Sequence, residues 1–168
     1  MTSIDDFIPR FPNQDIFTRC VGKGTEGKVF VVSRRQNLVA KIYFPSRFAS
    51  GLELAQHEYN VTDSLYHHGI SVPKPEGVFE ISFFWRSERY PAFVMERIRS
   101  GIRLDKLNLK KYSEEYELGL ELMKNEEERV KKLGFTSVDV WTGNCFYFPE
   151  EKKVILYDFS RWGLPRMP

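Results

Sequence analysis

The chain has 168 residues, 42% hydrophobic and 15% aromatic, enough apolar side chain for a packed core in one domain or a small two-lobed unit. Its 25 Lys and Arg nearly cancel its 23 Asp and Glu, leaving a formal charge of +2, so charge gives no argument for a nucleic-acid or membrane-surface partner. Cys20 and Cys145 lie far apart with no C-x-x-C pairing, which speaks against a disulfide framework and a zinc site and makes a reducing cytoplasm the expected setting. No apolar run approaches the ~20 residues of a membrane helix. Asp5, Asp6 and Pro9 stand where an export signal needs apolar residues, and no glycine follows Met1 to accept a myristoyl group.

Residues 1–16 are broken by Pro9, Pro12 and Asn13 and read as a lead-in, with Phe7, Ile8 and Phe11 as anchors. An extended stretch from Ile16 to Cys20 runs into Val21-Gly22-Lys23-Gly24-Thr25-Glu26-Gly27-Lys28-Val29. Its glycines have G-x-G-x-x-G spacing, which lets backbone pass close to a ligand and turn N–H groups toward phosphate oxygens. A glycine-rich hairpin turn would look the same. Lys28 to Val32 is a β-branched and aromatic run that reads as a strand. Arg34 to Asn37 reads as a polar turn, and Leu38 to Phe44 as the next strand. The glycines therefore join two antiparallel strands. Dinucleotide-binding folds and P-loops need a helix there instead.

Pro45 stops that strand. Ser50 or Gly51 starts a helix over about Leu52 to His67, closed by Gly69. The stiff connection Ile70-Ser71-Val72-Pro73-Lys74-Pro75 follows. Val78 to Trp85 and Ala92 to Ile98 read as strands joined by a charged turn, Arg86 to Arg89. After Ser100-Gly101 a long helix is predicted over Ser113 to Leu133, its buried side supplied by Leu118, Leu120, Leu122, Met123 and Val130. Asn125 to Arg129 read as its wet face, and Glu127–Lys131 and Glu128–Lys132 as favourable i,i+4 pairs. Gly134 ends it. A loop over Thr136 to Gly143 leads to two short strands, Asn144 to Phe148 and Val154 to Tyr157. Asp158-Phe159-Ser160 follows directly.

Three places carry chemistry. Lys41 has apolar strand neighbours, so its ammonium is drawn into a partly enclosed space and needs an anion; Glu58 on the following helix and a phosphate are the candidates. Asp139 and Asn144 flank a glycine-containing turn, and Asp158 stands across the hairpin. Such an oxygen-rich group suits Mg²⁺, though Asp-x-x-x-x-Asn by itself is ordinary turn chemistry.

In order the chain holds G-x-G-x-x-G-x-V, Val-Ala-Lys, a helical Glu, Val-Met-Glu, Asp-x4-Asn and Asp-Phe-Ser. This series resembles the protein-kinase-like superfamily from about residue 16 onward, and Gly69 to Pro75 is similar to a connection in its small atypical members, the RIO family and the kinase subunit of the KEOPS complex. The resemblance implies an α+β, two-lobed fold: an N-lobe over 1–99 with an antiparallel sheet and one main helix, and a reduced C-lobe over 100–168 that is truncated after Asp-Phe-Ser. It implies ATP and Mg²⁺ as cofactors. Gly22, Lys23, Gly24, Thr25 and Gly27 would cover the phosphates, Lys41 would hold them, and Glu58 would position Lys41. Asp139 would be the catalytic carboxylate; Asn144 and Asp158 would hold the metal. Val29 and Ala40 would line the roof of the adenine pocket and Phe146 its floor, with Met95 as gatekeeper and the backbone of Glu96 and Ile98 at the adenine edge.

Two positions depart from the family pattern: Ser137, where a His is usual, and Ser160, where a Gly closes the motif. The expected activity is phosphoryl transfer by an atypical minimal serine/threonine protein kinase, or an ATPase or autokinase within a complex. A protein substrate or a partner covering the short C-lobe is expected with it. A nucleotide-binding module without turnover is the alternative, and a small-molecule kinase a further one.

Overall fold

The computed structural model describes residues 17–24, 26–32, 35–44, 50–82, 89–107 and 113–165. The lead-in anchors Phe7, Ile8 and Phe11, the loop residue Thr25 and the turn at 86–88 lie outside them. The fold is α+β: a five-stranded antiparallel sheet, a small three-stranded sheet and two helices. Contacts divide the chain into two units, one of residues 1–59 and 75–97, the other of 60–74 and 98–168. The first half of the long N-terminal helix thus belongs to the first unit and its second half, with the proline-stiffened connection, to the second.

In the first unit the strands are β1 (Phe17–Lys23), β2 (Gly27–Val32), β3 (Arg35–Tyr43), β4 (Pro75–Ser82) and β5 (Arg89–Glu96), in the order β1-β2-β3-β5-β4. β3 starts at Arg35, three residues before the expected Leu38, because Arg35 already pairs with Val32. β4 and β5 likewise begin earlier than expected. Pro75 opens β4, a position that needs no N–H. Pro91 is tolerated inside β5 because β3 pairs with β5 only from Ala92 onward; at Pro91 the partner is Glu80 alone.

Strand alternation sorts the side chains of this sheet into two sets. One set, Val32, Leu38, Ala40, Ile42, Ile81, Ala92 and Val94, forms a cluster with Phe30, Phe79 and Tyr90. The other, Val31, Val39, Tyr43, Val78, Phe93 and Met95, packs with Ala55, Leu52, Leu54 and Tyr59 of helix α1 (Gly51–His67). α1 opens with a reciprocal capping box: the Glu53 amide donates to Ser50 Oγ at 3.2 Å and the Ser50 amide donates to Glu53 Oε2 at 2.7 Å. The bonds to Ser50 hold the Glu53 carboxyl below the usual carboxylate range.

In the second unit the end of α1 is closed by Gly69 with φ 69°, as its position predicts. The Gly69 amide donates to the Tyr66 carbonyl and the Ile70 amide to Leu65, both at 3.0 Å, and buried Ile70 folds back beside buried Leu65. Helix α2 (Ser113–Lys132) ends at Gly134, and Arg129 donates to the Gly69 carbonyl at 3.0 Å, tying the two helix ends together. Met123 and Val130 are buried as expected, while Leu118, Leu120 and Leu122 are half-buried against the same core. Glu127 and Lys131 form the expected pair, and Glu126 pairs with Arg129 one turn away. The small sheet runs β6 (Ile102–Arg103), β7 (Cys145–Phe148), β8 (Lys153–Leu156). Its core face meets Val61, Leu65, Ile70, Val72 and α2 around Tyr147, Leu156, Phe159 and Trp162.

Among the described residues no helix is long and apolar enough to cross a membrane.

Gly27 sits tight against β3: a Cβ there would stand 2.2 Å from the Ile42 carbonyl oxygen. A Cβ on Gly24 would meet nothing within 4 Å. Gly27→Ala is therefore expected to lose roughly 1–3 kcal/mol to overpacking, and Gly24→Ala less than about 0.5 kcal/mol. Urea unfolding of both variants checks the contrast.

Candidate functional site

The glycine stretch is a hairpin turn between β1 and β2, as its flanking strands predict. The Gly24 amide donates to the Gly27 carbonyl at 3.0 Å and closes the turn, and the Phe44 amide donates to the Glu26 carbonyl at 2.8 Å, holding the turn to the end of β3. Gly27 is demanded by packing; Gly24 is not, and Gly22 would give its Cβ only ordinary contact with Val29 at 3.5 Å. Packing thus requires glycine at one of the three positions, and of the other two only Gly24 faces open space. Lys23 is exposed.

The register places Gly22 opposite Val29, Val29 opposite Lys41, Lys41 opposite Phe93 and Phe93 opposite Val78. One row across the sheet therefore carries a loop glycine and the candidate lysine. Lys41 is 7% exposed and Glu58 1%. The Lys41 ammonium donates to Glu58 Oε2 at 2.7 Å, so the expected partner on the helix is the one found. Tyr43 hydroxyl donates to the same oxygen, and its ring centroid lies 4.9 Å from the Lys41 ammonium. Tyr43 was not among the expected site residues. The signal for it is simple: it stands two residues after Lys41 on a strand and so shares its face.

The same rule corrects Ala40. It is fully buried in the cluster on the other side of the sheet, with Leu38 and Ile42, and cannot line a surface with Val29 and Lys41. The residue on the Lys41 face is Val39, paired with Met95, which itself is 9% exposed. Glu96 ends β5 and is exposed, and the Arg97 amide donates to the Asn37 carbonyl at 2.7 Å.

In the second unit, Ile98 is half-buried and Asp139 is exposed. Asn144 and Asp158 flank the open end of the β7–β8 hairpin. Its last pair is Cys145 with Leu156, and beyond it the Tyr157 amide donates to the Asn144 carbonyl at 3.1 Å. The hairpin thus brings Asn144 and Asp158 to the same end, not to opposite ends. Ser160 Oγ reaches Asp158 Oδ1 at 3.5 Å. Among the described residues no group of three or more His, Cys, Asp and Glu is placed to hold a metal. Asn144 and Asp158 offer an amide oxygen and a carboxylate, hard donors of the kind that Mg²⁺ takes in small number while keeping water and phosphate ligands.

Two non-glycine residues here have left-handed backbone, Ser137 with φ 53° and Asp158 with φ 69°. Such conformations cost about 1 kcal/mol or more and persist where surroundings hold them. The holding contacts are visible. Phe159 and Trp162 are buried and meet edge to face with ring centroids 4.7 Å apart. Thr136 and Gly163 exchange two backbone hydrogen bonds at 3.0 and 2.7 Å. The stretch after Asp158 is thereby clamped to the stretch before Ser137. Next to it, Trp141 is half exposed, and its indole lies so close over Gly143 that a Cβ there would stand 2.2 Å from the ring.

Phe146 is half-buried, on the face of β7 opposite Cys145 and Tyr147, and its ring lies 5.0 Å from that of Tyr157. Tyr157 hydroxyl donates to the Gly143 carbonyl, and burial pushes its ionisation up to about 12. Beside it Arg103 and Asp105 form a two-pronged pair that raises the guanidinium and lowers the carboxyl from their usual ranges. An open depression of about 580 Å³ lies against α2, lined by Glu114, Glu117, Leu118, Leu120, Glu121 and Lys124, and includes no candidate site residue.

No protein-family model matches the chain, and no curated protein matches it either.

Glu58→Leu leaves a buried ammonium without its carboxylate and is expected to cost about 3–5 kcal/mol, measured by urea unfolding. Cys145 is fully buried and burial raises its thiol to about 12, whereas Cys20 is exposed. A thiol reagent at neutral pH should label Cys20 alone in the folded chain and both cysteines in denaturant.

Proposed function

We propose that the chain is an ATP- and Mg²⁺-dependent phosphotransferase of protein-kinase-like type, acting on a serine or threonine hydroxyl. The observation that carries this reading is the buried Lys41–Glu58 pair on the row that begins at Gly22. A buried ion pair is a poor way to gain stability, since desolvation offsets most of its Coulomb energy. A lysine held at 7% exposure by a helix carboxylate, in line with Gly22 of the glycine hairpin, suits a ligand rich in negative oxygen.

In this reading the first unit supplies the phosphate chemistry. The bare backbone at Gly22 and Gly24 lets the phosphates approach closely, and Lys41 holds them. Val29, Val39 and Met95, on the same face, offer apolar contact to the purine. The family resemblance assigns the remaining roles to residues of the second unit. Asn144 and Asp158 would hold Mg²⁺, which offsets charge on the phosphates when bound. Asp139 accepts the proton of the acceptor hydroxyl as its oxygen bonds to the γ-phosphorus and ADP leaves. Positioning and charge stabilisation provide most of the rate. The left-handed backbone at Ser137 and Asp158 fits residues held for function rather than for stability.

Transfer from γ-labelled ATP, to the chain itself, to a protein acceptor or to water, tests the proposal. Mg²⁺-dependent label transfer or phosphate release is expected. Lys41→Arg keeps the charge but changes its shape. It and Asp158→Asn should each lower the rate by about 10²-fold or more, and Asp139→Asn by roughly 10²–10⁴-fold. Equal rates in parent and variants would sink the enzymatic reading. A melting temperature raised by ATP with no phosphate released would leave a nucleotide-binding module instead.

A further inference from the structure

We propose that Tyr43 is a positioning residue of the Lys41 site, its hydroxyl fixing the Glu58 carboxylate while Lys41 gives its ammonium to the phosphates of a nucleotide. The proposal rests on the phosphotransferase reading above. Its evidence is separate: two donors on one carboxylate oxygen.

Lys41 and Tyr43 project from one face of β3, and both reach Glu58 Oε2. Tyr43 is 3% exposed and Glu58 1%, so water does little for that oxygen. A phosphate arriving at Lys41 competes with Glu58 for the ammonium's three hydrogens. The carboxylate must then keep its position with less help from the lysine. A second donor, anchored on the same strand, supplies that help, and a hydrogen bond to a charged acceptor is stronger than one between neutral groups. The Tyr43 ring adds a second constraint: at 4.9 Å it faces the ammonium and limits where Lys41 can swing. Apolar packing alone would be served by phenylalanine, because Tyr43 sits in the cluster with Val39, Phe93 and Ala55. The hydroxyl is the part that packing does not explain.

A residue that acts through Lys41 affects only the phosphate-bearing part of a ligand. Calorimetric titration of the parent and of Tyr43→Phe with Mg-ADP and with adenosine separates this role from a structural one. Tyr43→Phe keeps the ring and should weaken Mg-ADP binding by about tenfold, the scale of one charge-assisted hydrogen bond, while adenosine binding stays within about twofold. Unchanged Mg-ADP binding in a folded variant overturns the proposal and leaves the phosphotransferase reading intact. Equal losses for both ligands, or a variant that no longer folds, assign the hydroxyl to stability and also overturn it. A parent chain that binds neither ligand overturns the phosphotransferase reading, and the role of Tyr43 with it.

Discussion

A carboxylate at 1% exposure, 2.7 Å from an ammonium at the centre of a sheet, is the constraint on which the first unit depends. Everything near it keeps that pair in one place. The capping box at Ser50 and Glu53 sets where α1 begins, and so where Glu58 falls along it. Leu52, Leu54, Ala55 and Tyr59 seat the helix on the sheet, with Tyr59 meeting Phe93 edge to face at 6.0 Å. Phe93 pairs with Lys41 across β3 and β5, so the helix is fixed by the same row that carries the lysine. Removing either charge would leave the other largely buried without its partner, which is why the pair is costly to break although it adds little net stability.

The second unit achieves order by a different device. Its candidate residues sit on turns, and the turns are held from both sides. Below them Cys145, Tyr147 and Leu156 anchor the hairpin in a core completed by α2 and the end of α1. Beyond them Phe159, Trp162 and the Thr136–Gly163 bridge clamp the flanking chain. Positive φ at Ser137 and Asp158 is then held in place by the buried aromatic side chains nearby, in addition to the tolerance of Asp for this region. Polar groups at the rim gain their partners from backbone, as Tyr157 does from Gly143.

Much of the secondary structure was legible in local chemistry. Ser50 or Gly51 and Gly69 marked the ends of α1, because caps satisfy the backbone groups a helix leaves open; the reciprocal bond with Glu53 was not among the expectations. The antiparallel hairpin around the glycines followed from apolar runs on either side. Strand starts were less legible. Arg35, Gln36 and Asn37 look like a turn but form the exposed start of β3, with Arg35 paired to Val32, and Pro75 and Pro91 look like breakers but fall where no N–H is needed. Lys41 and Glu58 could be named as partners from strand and helix positions. Ala40 and Lys41 face opposite sides of the sheet, since a neighbour along a strand always faces the other way.

By itself the sequence determined which residues could form caps, strands and a helix, and which carboxylates, amides and cations stand ready for chemistry. These are local properties, set within a few residues by backbone preference and side-chain type. Tertiary structure alone decided which of those groups share a face and which backbone must remain bare. It joined Tyr43 to Glu58 across 15 residues of chain, separated Ala40 from Lys41, and made Gly27 indispensable while leaving Gly24 open. The reason is that close packing depends on distances between elements remote in sequence. A one-residue change of register or a few tenths of an ångström at a strand crossing decides such contacts.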